Sequence, residues 1–224
     1  STNPELIRQP LSEIYNDDGL SYIESDEDKL FLNNVKQFIS KEIPNKFKIA
    51  AKITEKIINE GGRVVIWANF IKNIDKMKAY LNSLGIPTRE LYGATPVEGS
   101  NCIEYTEEQT RESIVKEFNS DNSSFNVVLA NPFAVAESIS LHKKCHNAIY
   151  LERSFNAAHF LQSKDRIHRY GLPPNTKTTY YFLVSTNSID ETIDKRLEKK
   201  EERLNEIMES MPIPLFDNVL KDGG

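Results

Sequence analysis

The chain of 224 residues is long enough for one good core, and a prior of roughly 100–200 residues per domain points to one domain with an extension. Hydrophobic residues make up 39% and charged residues 27%, which excludes a disordered or fibrous chain. The formal net charge of -5 excludes binding of polyanions through bulk positive charge, so contact with nucleic acid would need a local basic strip.

Cys102 and Cys145 lie far apart and form no disulfide ladder, which favours a reducing compartment. No apolar run reaches the roughly 18 residues that span a bilayer, and the N-terminus carries no secretion signal. These features predict an intracellular protein that does not enter a membrane.

Residues 1–43 read as an arm. "LIRQPLSEIY" and "KLFLNNVKQFI" have helical apolar spacing, and an acidic loop separates them. From Pro44 the pattern becomes regular. Ile49, Ile53 and Ile57 recur at helical spacing up to a stop at Gly61-Gly62, and "RVVIWA" is a β-branched strand. Phe70, Ile74, Met77, Leu81 and Leu84 predict a helix ending at Gly85. "PTRELYGATP" supplies a strand and a turn, and Thr106 with Gln109 forms a capping box before a helix burying Ile114, Val115 and Phe118.

Alternation continues with a strand at "NVVLA", a short helix at "AVAESISL", a strand at "NAIYLE", and a helix from "NAAHFLQ" through Gly171. "TTYYFLV" is the last strand. Ser188 with Glu191 caps a long charged helix. Strands alternating with helices predict an α/β fold with a parallel sheet covered on both faces, in a domain spanning residues 44–210 and followed by a tail at 211–224. Ligands of such sheets gather at the C-terminal ends of the strands.

Within "QSKDRIHRYG", a continuous helix puts Gln162, Arg166 and Arg169 on one face. Arginine is permanently charged, and its planar fork of donors suits phosphate oxygens. The bland reading of this spacing is a solvated basic face. For "HKKCH", His142, Cys145 and His146 lack a convincing fourth ligand, so no metal site is expected.

The same segment resembles motif VI of the superfamily II helicases, in the Q-A-x-D-R-x-H-R-x-G form of the Swi/Snf family of DNA translocases. "RVVIWANF" resembles motif IV, "RELYGATP" the family's L-x-G-S-T segment, and "ANPFAVAESISL" motif V. The resemblance covers about residues 44–208. It implies a RecA-like lobe in which Arg169 is an arginine finger toward ATP, with Arg166 and Gln162 beside it and Glu137 and Ser138 near the nucleotide. It further implies that Asn69, Phe70, Gly93, Thr95 and Asn131 contact the backbone of double-stranded DNA. Motif V departs from the family pattern, with Val135, Ala136 and Ser138 standing where glycines are usual, so close backbone approach to a ligand is in doubt there.

A phosphate-cradling G-x-x-x-x-G-K-[ST] loop and an acidic Mg²⁺ site are both missing. The resemblance therefore implies that an upstream N-terminal RecA-like lobe of the same parent chain binds ATP and Mg²⁺, and that this portion alone is inactive. Another superfamily II helicase, of restriction or RNA type, and a non-enzymatic interaction module are the alternatives. The lack of eukaryotic-style insertions points to a prokaryotic, nucleoid-associated protein. Oligomeric state and pathway have no signature in the sequence.

Overall fold

The computed structural model describes residues 43–97, 110–133, 139–168, 172–173 and 176–210. The predicted arm helices, the Thr106–Gln109 box, Val135, Ala136, Glu137, Ser138, Arg169 and the tail lie outside the described residues.

The order is α1 (Asn45–Asn59), β1 (Val64–Trp67), α2 (Ile71–Ser83), β2 (Thr88–Leu91), α3 (Arg111–Phe118), β3 (Val127–Ala130), β4 (Asn147–Tyr150), α4 (Ala157–Asp165), β5 (Thr179–Phe182) and α5 (Ile189–Ser210). The strands form one parallel sheet in the order β2-β3-β1-β4-β5. The fold is RecA-like α/β, as expected. The link from β1 to β2 runs one way across the sheet and every later link runs the other, so the neighbouring strands β1 and β4 lead to helices on opposite faces.

Parity along each strand assigns its residues to two cores. Val64, Ile66, Val127, Leu129 and Ile149 meet Phe47, Ala50 and Ile57 of α1 and Ile74, Met77 and Leu81 of α2. Val65, Trp67, Val128, Ala130, Ala148 and Tyr150 meet Ile114 and Phe118 of α3, Phe160 of α4 and Leu197 of α5. Burial on both faces explains why the central strands are continuous apolar runs without alternation. Each fully buried large apolar side chain contributes about 1.5–3 kcal/mol.

Three local expectations change. On α1, Ile49 is 48% exposed, and the inward stripe is Lys46, Phe47, Ala50, Ala51, Thr54 and Ile57. Small residues set that stripe because they let α1 approach the sheet closely. On α2, Phe70 and Leu84 flank the helix as exposed residues, while Ile74, Met77 and Leu81 are buried. The cap of α3 is Thr110, whose side chain accepts a hydrogen bond from Ser113 N, so the helix begins later than the Thr106 box implied.

The end of α1 follows expectation. Gly61 has φ +78°, and the N–H groups of Gly61 and Gly62 donate to Ile58 O and Ile57 O at 2.9 and 2.8 Å. A Cβ on Gly62 would lie 2.9 Å from Ile57 Cγ2, so close packing also requires glycine there. At α5 the predicted box is shifted by one residue: Glu191 Oε1 accepts from Asn187 N, and Ser188 Oγ accepts from Asp190 N.

Candidate functional site

At the C-terminal edge of the sheet, Asn131 joins three strand ends. Its N–H donates to Leu91 O at 3.0 Å, its Nδ2 donates to Asn69 O at 2.7 Å, and its Oδ1 accepts from Phe133 N at 2.8 Å. Its amide therefore serves as a brace between loops, and the side chain is buried. Phe70, directly after Asn69, is 48% exposed at the rim. Beneath it, Asn73 Nδ2 donates to Glu152 Oε1 at 2.6 Å, a buried link between α2 and the end of β4.

The turn after β2 is built from Tyr92 to Thr95. Thr95 N donates to Tyr92 O at 2.9 Å, and Thr95 Oγ1 accepts from Tyr92 N at 3.0 Å and donates to Glu90 O at 3.3 Å. Thr95 is buried, whereas Gly93 is exposed and a Cβ there would meet nothing within 4 Å. Thus Asn131 and Thr95 shape this edge from within, and Asn69, Phe70 and Gly93 form its accessible surface.

Between these loops and the start of α4 lies a shallow crevice lined by Asn69, Pro132, Glu152, Arg153, His159 and Ser163, among others. Asn156 caps α4 by accepting from His159 N. Arg153 is largely withdrawn from solvent: it pairs with Asp194 and stacks over Phe182 at 4.5 Å. Burial lowers its pKa, against the opposing pull of nearby Glu198 and Asp190. Tyr150 shares a 2.8 Å hydrogen bond with Ser163, and burial raises its phenol above the ordinary range. Both groups consolidate the crevice wall.

The helix carrying Gln162 is shorter than expected. It ends at Asp165, with Arg166 as its C-cap residue. Gln162 is exposed on the last turns, and Ser163 beside it points into the core. Arg166 is fastened to the segment entering β4: its carbonyl accepts from Leu141 N at 2.9 Å, and its Nη1 donates to Ile139 O at 3.3 Å. His168 Nδ1 lies 3.3 Å from Thr178 Oγ1, just before β5. This turn is therefore at the N-terminal edge of the sheet, because α4 runs antiparallel to the strands it covers.

The described residues of the two predicted groups fall at different edges. Asn69, Phe70, Gly93, Thr95 and Asn131 come together at one edge, and Arg166 sits at the other. Among the described residues, no three His, Cys, Asp or Glu side chains converge as metal ligands. Cys145 is fully buried, which pushes its thiol up to about 12, and it hydrogen-bonds to Asn147 O.

Sequence reasoning missed Arg111, Lys46, Asp190 and the Asn73–Glu152 pair. Lys46 Nζ donates to Leu151 O at 3.1 Å and to Asp190 Oδ2 at 2.5 Å, tying α1 to β4 and α5. A lysine inside the apolar stripe of α1 was its sequence signal. Asn73 and Glu152 are 79 positions apart and carry no such signal.

A parallel sheet with helices on both faces and polar loops at its edges is a RecA-like lobe. The family model for the helicase conserved C-terminal domain matches residues 45–171, more than half of the chain, and the chain belongs to that family. Its relatives are of the Swi/Snf type. They include the chromatin remodeling factor mit1 of Schizosaccharomyces pombe, 26% identical over 69% of this chain and 10% of that protein. ATP-dependent helicase fft1 of the same organism is 30% identical over 58% of this chain and 12% of its own length. The transcription regulatory protein SNF2 of Saccharomyces cerevisiae is 25% identical over 70% of this chain and 8% of its own.

Among solved structures, the C-terminal part of the Fun30 ATPase domain superposes with a TM-score of 0.58 at 20% identity, covering 82% of this chain and 61% of that one. That likeness concerns the fold. The chain spans about a tenth of the length of the curated relatives it matches. These relatives are eukaryotic, so the prokaryotic expectation gains no support. No helix of the described residues is long and apolar enough to cross a membrane.

Proposed function

We propose that this chain is the C-terminal lobe of an ATP-dependent double-stranded-DNA translocase of the Swi/Snf type, with residues 44–210 as the lobe between an arm at 1–43 and a tail at 211–224. The observation that supports the reading is that Asn69, Phe70 and Gly93 lie at one edge of the sheet while Arg166 lies at the other. A lobe that grips a nucleic-acid backbone while also completing a nucleotide site on its neighbour needs two such surfaces.

Arg166 and Arg169 are assigned to the nucleotide, with Gln162 beside them and Glu137 and Ser138 on the segment to which Arg166 is fastened. The donor set fits a triphosphate: the guanidinium of Arg166 is held in position by Ile139 O, and guanidinium forks match phosphate oxygens. ATP and Mg²⁺ would be held mainly by an N-terminal RecA-like lobe of the parent chain, and the hydrolysed γ-phosphate bond supplies the free energy of stepping. Positive charge from this lobe acts most strongly on the charge that develops in the transition state, and such fingers accelerate hydrolysis by about 10³ to 10⁵. At the other edge, Asn69, Phe70 and Gly93 face the DNA backbone, while Asn131 and Thr95 hold the loops that carry them. Phosphate contacts carry no base code, so binding is tolerant of sequence.

The test is ATP hydrolysis by the intact parent protein with and without duplex DNA, and with RNA in its place. Stimulation by duplex alone supports the reading, and stimulation by RNA reassigns the motor. Absence of hydrolysis would leave an interaction module that retains the fold.

A further inference from the structure

The two faces of the sheet are covered unequally. On one side α3, α4 and α5 all supply residues to the core. On the other, the described residues bring only α1 and α2. A packed helix spans about 8–10 Å, roughly two strands at about 4.8 Å each, so two helices cover four strands of a five-stranded sheet. α2 packs across β2 and β3, and α1 packs across β1. β5 lies at the far edge, and its residues facing this side, Tyr181 and Leu183, are only partly buried.

The wall beside them belongs to α1. Lys46 reaches Leu151 O and Asp190, so its flank of the helix is the one turned toward the end of β4 and the start of α5. Ile49 and Ile53 follow three and seven residues on along the same flank. Ile49 is exposed and Ile53 is half-buried. Tyr181, Leu183, Ile49 and Ile53 thus border an apolar groove. Lys48, Lys52 and Lys56 are exposed along its crest, and Lys56 meets Glu60 only at 4.0 Å.

We propose that this groove seats residues 29–39 of the arm as a helix antiparallel to α1. In "KLFLNNVKQFI", Phe31, Leu32, Val35, Phe38 and Ile39 fall on one helical face, which needs an apolar partner. A helix of this length is marginal in water by itself, so packing must supply its stability. Residues 40–44 give a link of the length that joins antiparallel neighbours, and Ile43 within it is exposed at the entry to α1. Pairing about that link brings Val35 to Ile49 and Phe31 to Ile53. It also carries Asp26, Glu27 and Asp28 toward Lys56, so the charges are complementary. The docking stands on the groove and not on the translocase reading. Joined to that reading, it moves the pivot between the lobes from Pro44 back to Asp28.

Hydrogen exchange in the intact parent protein, read on peptides covering residues 29–39, tests the seat. The wild type should exchange these amides at least about tenfold more slowly than an unstructured chain. Ile49→Asp, at an exposed position outside the core, and Val35→Asp should each abolish that protection while peptides from β1 and β4 keep theirs. Lys52→Glu with Lys56→Glu should speed exchange over 29–39 by about threefold at low salt, less as salt is added. Unprotected 29–39 in the wild type, or protection that survives both Asp variants, overturns the proposal. Protection that grows with protein concentration gives the groove to a second copy and overturns it as well. These readouts involve neither DNA nor ATP, so the translocase reading stands or falls separately.

Discussion

Each end of α3 meets an arginine that collects main-chain carbonyls, Arg111 from within the helix and Arg63 from the segment before β1, under opposite electrostatic conditions. At the C-terminal end, Arg63 donates to Phe118 O and Ser120 O, where the helix dipole attracts a cation. At the N-terminal end, Arg111 takes three turn carbonyls against the dipole. The first placement gains stability from every term. The second gives up dipole energy to fix an exposed turn, which is what a binding surface requires and a core does not.

The comparison can be broken most decisively at the nucleotide side. Arg169→Ala in the intact parent protein should reduce DNA-stimulated ATP hydrolysis at least about a hundredfold while leaving ATP binding and thermal unfolding in place. A variant that hydrolyses normally would remove the finger assignment. Next in size, Arg63→Met should destabilise the domain by about 1.5–3 kcal/mol, since it deletes charged hydrogen bonds to two carbonyls. Denaturant unfolding measures this, and hydrolysis per folded molecule should hold. Equal loss of stability and DNA binding at Arg63 and Arg111 would erase the contrast between the two ends.

A smaller effect depends on pH. Burial pushes the Asp190 carboxyl up, but hydrogen bonds from Lys46 and Ser185 N outweigh it, and the net pKa lies below the ordinary 3.8. A carboxyl depressed on folding stabilises the native state above its unfolded pKa, and that share disappears as pH falls through the folded value. Unfolding measured from neutral pH down should therefore show extra loss of stability below about pH 4 in the wild type. In Asp190→Asn that component should be missing and the neutral-pH stability lower. Smallest of all, Lys78 meets Glu90 at 2.6 Å on a partly exposed surface. Lys78→Met should shift stability by no more than about 1 kcal/mol, because solvent screens such pairs.

Much of the scaffold was legible because its signals are local. Gly61 and Gly85 ended their helices, with positive φ at both, and each β-branched run became a strand. The family was legible from the resemblance of one short stretch, residues 162–171, to motif VI, whereas the spacing of Gln162, Arg166 and Arg169 alone fitted a solvated basic face. The end of its helix was not legible: α4 stops at Asp165 because the following turn bonds to Ile139 and Leu141, which no local pattern encodes. Ile49 misled for a similar reason. Its apolar side chain fitted a helical stripe, but the sheet accepted the neighbouring face with Ala50, Ala51 and Thr54, where backbones come closer.

By itself the sequence determined an α/β alternation, the family, and the residue types able to meet phosphate, since periodicity, turn residues and motif spacing all act over a few positions. Tertiary structure alone decided which strand parity faced which helical layer, because a parallel sheet buried on both faces carries no alternation to read. It also decided that Asn131 and Thr95 are buried within the loops they brace, that Arg111 bonds to the carbonyls of the turn after β2, and that Arg166 lies at the opposite edge from Asn69 and Gly93. Those outcomes depend on hydrogen bonds between segments far apart in the chain, whose partners exist only once the sheet has assembled.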